Sequence, residues 1–121
     1  MDIGMTYTQW ATNRYFDEAT RKELEGIAGD NSEIRDRFYK ELDFGTAGIR
    51  GIIGAGTNRM NKYVVRRLST AIAAHLLSKG SKAKKDGVVI GYDSRNFSEE
   101  FAREAAAVFA GNGIKVYLHT E

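Results

Sequence analysis

No cysteine occurs among the 121 residues of the chain. Disulfides, thiolate metal sites and cysteine nucleophiles are therefore excluded. Proline is absent as well, so any motif that requires one is missing. Only two histidines are present, His75 and His119, too few for a histidine-built metal site. His75 falls on a helical stretch and reads as a solvated or hydrogen-bonded side chain rather than a ligand. No run of about 18 apolar residues exists, so no transmembrane helix is expected. A basic segment followed by an apolar one is lacking at the N-terminus, so no signal peptide is expected and a cytoplasmic location is the default.

What remains is ordinary. The chain is 42% hydrophobic and 28% charged, a composition typical of a globular domain with its own core. The net charge of +2 is unevenly placed. Residues 1–43 hold ten Asp/Glu against six Lys/Arg, a net of −4, whereas residues 44–121 hold six against twelve, a net of +6. A basic half suits an anionic ligand, and nucleic acid has to be weighed. Aromatics interleaved with the basic residues are lacking, which argues against single-strand binding. Lys79, Lys82, Lys84 and Lys85 read as solvated surface charge.

Residues 7–27 read as helix, broken near Ala19-Thr20, with Thr8 or Thr20 as caps. Ser32 is read as the cap of a shorter helix through Leu42. Residues 1–43 thus form an acidic helical arm that packs on the domain without carrying chemistry. Residues 44–121 form the domain proper. Phe44 to Ile53 is expected as strand interrupted by glycines, and Gly54 to Asn61 as loop. Lys62 to Ser78 is the clearest helix, with Val65, Leu68, Ile72 and Leu76 on one face. Ser81 to Asp86 reads as a basic linker. Val88-Val89-Ile90 marks a short strand over 87–92, buried on both faces. Ser98, Glu99 and Glu100 open a helix to about Ala110, with Phe101, Ala105, Val108 and Phe109 inward. Ile114 to Leu118 is the last strand. Strand, helix, strand, helix, strand implies an α/β domain with an αβα layered sheet.

The candidate chemistry starts at Gly45-Thr46-Ala47-Gly48-Ile49-Arg50-Gly51. Glycine every third residue lets backbone approach a ligand, and the Arg50 guanidinium is a fork for phosphate oxygens. The spacing is neither G-x-G-x-x-G nor a P-loop. On residues alone, an anion-binding turn and a plain turn with a surface arginine both stay open. Ligands of open α/β sheets bind beyond the carboxyl ends of strands, which adds the loop Asp93-Ser94-Arg95. There, ligand contact and a simple Asp93–Arg95 pair both stay open, and Ser94 reads as a turn residue. Arg59, in the 54–61 loop, is open between ligand contact and loop packing.

Phe44-Gly45-Thr46-Ala47-Gly48-Ile49-Arg50-Gly51 resembles the opening motif of the α-D-phosphohexomutases, the phosphoglucomutase and phosphomannomutase family. Gly54-Ala55-Gly56-Thr57-Asn58-Arg59-Met60-Asn61 is similar to the branch holding many bacterial phosphoglucomutases and the animal phosphopentomutase-like enzymes. Gly91-Tyr92-Asp93-Ser94-Arg95, Phe38-Tyr39-Lys40-Glu41-Leu42 and Asn112-Gly113-Ile114-Lys115-Val116-Tyr117-Leu118 fit the same branch. The likeness covers nearly the whole chain.

The resemblance implies transfer of a phosphoryl group between the 1-hydroxyl and the terminal hydroxymethyl of a hexose phosphate. It proceeds through an enzyme phosphoserine, with Mg2+ in the full-length enzyme. Arg50 is implied as the catalytic arginine, and Gly45, Thr46, Gly48, Arg59, Asp93 and Arg95 as phosphate- or substrate-binding residues. The family's Thr-x-Ser-His-Asn-Pro phosphoserine segment, its Asp-x-Asp-x-Asp-Arg metal loop and a Pro-Thr-Pro stretch are absent here. The expectation is an N-terminal piece of such a mutase, inactive alone, without a metal or cofactor of its own. Its partners would be the phosphosugar and the remaining domains of the same chain, with no nucleic acid and no membrane. Sugar identity and oligomeric state are left open. The alternative is a stand-alone phosphate- or phosphosugar-binding module.

Overall fold

The computed structural model describes residues 2–42, 44–45, 48–49, 52–92 and 98–120. At residues 44, 45, 48, 49, 83, 89, 91, 92, 98 and 118–120 only the backbone is described. The chain divides into two compact units, Met1–Asn61 and Lys62–Glu121.

The first unit opens with three short helices: α1 (Ile3–Thr12), α2 (Glu18–Glu25) and α3 (Asn31–Phe38). Each is started by an aspartate. Asp2, Asp17 and Asp30 accept hydrogen bonds from the backbone N–H of Met5, Thr20 and Glu33. An N-cap carboxylate satisfies one of the free donors of the first turn and opposes the positive end of the helix dipole. The expected caps Thr8, Thr20 and Ser32 therefore give way to aspartates. Thr8 and Thr20 lie inside α1 and α2, and the break falls at residues 13–17 rather than at Ala19-Thr20. The third helix ends at Phe38, short of Leu42.

An aromatic core joins these helices. Trp10 stacks on Phe16 with ring centroids 4.3 Å apart. Trp10 and Tyr7 both meet Phe38 edge-on, at 5.8 and 5.9 Å. Such pairs add about 0.5–1.5 kcal/mol each beyond simple burial. Leu24 and Phe38 are wholly buried, and the Tyr7 hydroxyl donates to the Leu24 carbonyl at 2.7 Å.

The expected strand 44–53 is a hairpin instead. β1 (Phe44–Gly45) pairs antiparallel with β2 (Gly48–Ile49), Phe44 opposite Ile49 and Gly45 opposite Gly48. Two residues separate the pair, the commonest hairpin spacing. A strand that turns back this early has no length left to cross a sheet.

The second unit follows the expected alternation. α4 (Lys62–Leu77) leads to α5 (Ser81–Asp86), a single helical piece where a linker was expected. β3 (Val88–Tyr92) is joined through α6 (Ser98–Gly111) to β4 (Val116–Thr120). β3 and β4 pair in parallel, from Val88 opposite Val116 to Tyr92 opposite Thr120. Gly87 precedes β3 at φ +77°, where a Cβ would run into the Lys115 carbonyl. Ala73, Phe109 and Ile114 form the buried centre, flanked by Ile72, Leu76, Val88, Ile90, Ala105 and Val116. Arg66 bridges α4 to α6 through both Glu104 oxygens, at 2.8 and 3.2 Å. Val88 and Ile90 alternate toward this core as strand periodicity requires. The burial of Val89 and Gly91 lies outside the described residues. Sheet among the described residues is limited to these two two-stranded pieces, which makes the chain α/β without displaying the full layered sheet.

Candidate functional site

The 54–61 loop is the best-defined part of the candidate site, and it is held from both sides. Within the loop, the Met60 N–H donates to the Ile52 carbonyl at 2.8 Å and the Gly54 N–H to the Met60 carbonyl at 3.2 Å. The Asn61 amide donates to the carbonyls of Gly54 and Gly56, both at 2.9 Å. One asparagine thus ties the two ends of the turn together, as short amides do where backbone groups lack a regular ladder.

The helical arm holds the loop from outside. Glu23 on α2 accepts the Ala55 N–H at 2.8 Å and the Arg37 guanidinium at 2.5 Å on the same oxygen, Oε2. Arg37 on α3 also donates to Glu33 at 2.9 Å and to the Ala55 carbonyl at 3.2 Å. The Asn58 N–H donates to the Arg37 carbonyl at 2.9 Å. Gly56 makes this approach possible. Its φ is +129°, and a Cβ there would sit 2.8 Å from the Arg37 carbonyl oxygen. Burial lowers the pKa of Arg37, but the hydrogen bonds from Glu23 and Glu33 and their charges together raise it above the ordinary arginine value.

Arg59 closes the other end. Its side chain is only 6% exposed and lies 2.6 Å from Asp36 and 3.7 Å from Glu33. Its guanidinium also donates to the Asn58 carbonyl. Of the two readings the residues left open for Arg59, the geometry supplies the packing one. At the start of the hairpin, the Leu42 N–H donates to the Thr57 carbonyl at 2.9 Å, and the Thr57 hydroxyl to the Lys40 carbonyl at 2.8 Å. The loop is therefore fastened on the chain both before β1 and after β2.

The remaining predicted site residues are located only in part. Gly45 and Gly48 face each other across the hairpin. Thr46, Arg50, Asp93, Ser94 and Arg95 lie outside the described residues. So does the capping side chain of Ser98. Tyr92, the last described residue before Asp93, Ser94 and Arg95, lies opposite Thr120 at the carboxyl end of the parallel pair, the end where α/β ligand sites belong. His75 is exposed.

Glu23, Asp36 and Arg37 are the residues that sequence reasoning passed over. The i,i+4 spacing of Glu33 and Arg37 was a readable signal. The pairing of Glu23 with Ala55 was not. Among the described residues, no group of three His, Cys, Asp or Glu side chains comes together to hold a metal. No described helix is long and apolar enough to cross a membrane.

A family model described as phosphoglucomutase/phosphomannomutase, alpha/beta/alpha domain I, matches residues 41–120. The chain is 43% identical over 104 residues to a probable phosphoribomutase of Schizosaccharomyces pombe, covering 84% of this chain and 18% of that protein. It is 46% identical over 81 residues to a phosphoglucomutase of Staphylococcus haemolyticus, covering 67% and 14%. It is 33% identical over 121 residues to a phosphopentomutase of Mus musculus, covering 95% and 19%. The chain thus spans less than a fifth of the length of these relatives. No solved structure matches it significantly.

Proposed function

The chain belongs to the phosphoglucomutase/phosphomannomutase family through its alpha/beta/alpha domain I, and on that premise we propose that it serves as the N-terminal part of a phosphosugar mutase. The longer enzyme moves a phosphoryl group between the 1-position and the terminal hydroxymethyl of a sugar phosphate, by way of an enzyme phosphoserine. The observation that carries this reading is the family match across 41–120, which contains the whole Gly45–Gly51 motif with Arg50.

In this reading Arg50 stabilises charge on the transferring phosphoryl group, where positioning and electrostatics supply most of the catalysis. Gly45, Thr46 and Gly48 bring backbone N–H groups toward the phosphate, and Asp93 and Arg95 serve the same ligand. Arg59 supports the loop rather than reaching the substrate. The described residues bring together no carboxylate set that fits magnesium. Any magnesium is assigned to residues of the longer enzyme. The full αβα layered sheet, with the domain beginning near residue 44 after a helical arm, belongs to the same proposal. So does a cytoplasmic location. Relatives named for glucose and for pentose substrates both match, so hexose and pentose 1-phosphates are both candidates.

The test is turnover of glucose 1-phosphate and ribose 1-phosphate by the full-length enzyme and its Arg50→Ala variant. Loss of a charge-assisted contact is worth about 1.5–3 kcal/mol, or roughly 10- to 150-fold in rate when the contact forms only in the transition state. Arg50→Lys restores part of this, because the charge returns without the bidentate fork. Equal turnover by wild type and Arg50→Ala removes Arg50 from the mechanism.

A further inference from the structure

Helix α6 ends in a complete Schellman turn. The Gly113 N–H donates to the Ala110 carbonyl and the Ile114 N–H to the Phe109 carbonyl, both at 3.0 Å, the two bonds that close such an end. Gly113 is left-handed at φ +74°, and Lys84 Nζ lies 3.1 Å from where a Cβ on it would stand. Conformation and space both call for glycine there. Asn112 directly precedes it, and both residues are exposed. Ile114, next in the chain, is only 2% exposed and packs with Phe109 in the core.

An asparagine followed by glycine carries its own reaction, because no side chain on the glycine shields its nitrogen. The Gly113 nitrogen attacks Asn112 Cγ, gives up its proton, and the side-chain nitrogen leaves as ammonia. Water then opens the resulting succinimide at either carbonyl, leaving aspartate or isoaspartate in place of the asparagine. No oxidant, metal or second protein takes part. The closed turn withdraws both reacting groups. The Asn112 amide donates to the Val108 carbonyl at 2.8 Å, and the attacking N–H is held by Ala110. Helix ends open locally more readily than the fold as a whole, and opening frees both groups together.

We propose that Asn112 is a deamidation site gated by fraying of the last turn of α6. The proposal does not depend on the mutase reading. The product acts back on the turn. A carboxylate cannot donate to the Val108 carbonyl, and the negative end of the helix dipole opposes it. Isoaspartate also lengthens the main chain just before buried Ile114. The Lys115 carbonyl takes the Val88 N–H at 2.8 Å, so the change falls where α6 hands the chain to the β3–β4 pair.

The experiment is peptide mapping of the full-length protein after incubation in mildly alkaline buffer, native and in urea. Trypsin releases the 104–115 peptide, in which Asn112 is the sole amide side chain. The native protein accumulates its aspartate and isoaspartate forms at least about tenfold more slowly than the urea sample, because the turn has to open first. Ala110→Gly, at an exposed position of the last turn, speeds native deamidation about fivefold through lost helix propensity and leaves the rate in urea unchanged. Asn112→Gln keeps an amide donor and leaves the peptide unmodified. A native peptide that stays intact long after the urea sample has converted, or a urea sample that stays intact itself, overturns the site. Equal rates with and without urea, or equal native rates in wild type and Ala110→Gly, overturn the gating.

Discussion

Arg37 and Arg59 show how differently two arginines near one glycine-rich loop are used. Both are turned onto the carboxylates of α2 and α3, with side chains 15% and 6% exposed. The carboxylates they meet are far more open, at 43% for Glu23 and 58% for Asp36, so solvent screens each pair and its loss costs well below that of a fully buried one. Arg50, which carries the proposed chemistry, lies outside the described residues. Gly56 sits between these roles. At φ +129°, with the Arg37 backbone where a Cβ would go, it admits no side chain without displacement. Gly56→Ala is expected to destabilise the chain by about 1–3 kcal/mol, read as a lower denaturation midpoint in urea. Its partner prediction is faster exchange at the Asn58 amide, which now bonds to the Arg37 carbonyl. An unshifted midpoint would show that the loop does not lie against α3.

At the scale of elements, three aspartates decide where the arm's helices begin. Asp17 was not read as a cap, although it stands directly before Glu18 in the first turn of α2. Thr20 competes for the same role in sequence, but its N–H is the group that Asp17 captures, at 2.8 Å. Asp17→Ala is expected to cost about 1 kcal/mol and Thr20→Ala less than about half of that. Chemical denaturation of the two variants orders them, and the reverse order would move the start of α2. Helix α4 and strand β3 were readable from periodicity, because apolar spacing is imposed by the core they face, whereas the last strand, expected over 114–118, runs from Val116 to Thr120. The 44–53 segment was not. Its β-branched and aromatic residues suggest a strand, but Gly45 and Gly48 face each other in a hairpin. α5 was missed for a related reason. Its lysines carry no apolar stripe, so nothing in the pattern separates a solvated helix from a linker.

For the whole molecule, the proposal predicts that the 121-residue chain by itself performs no mutase reaction and gains no phosphoryl group. It offers arginines for a phosphate but neither the family's serine segment nor its metal loop. Few solvated contacts leave little affinity after the cost of ordering a ligand. Glucose 1,6-bisphosphate is expected to bind with a dissociation constant of about 1 mM or weaker, near −4 kcal/mol. Calorimetry and intact-mass measurement check both parts. Micromolar binding would favour a stand-alone binding module, and a mass gain mapped to Ser94 or Ser98 would relocate the nucleophile.

Local sequence determined the family, through ordered motifs, and α4, β3 and α6 of the second unit, through apolar spacing that any folded chain must satisfy. It also placed charge of opposite sign in the two parts of the chain. Only the tertiary structure decided which charges meet. Glu23 reaches Ala55 across 32 positions and Arg59 reaches Asp36 across 23. Neither distance leaves a periodic mark, because such pairing depends on how α2 and α3 are each set against α1. The arm's acidic surplus is a property of composition. Its use as the support of a basic loop is a property of packing.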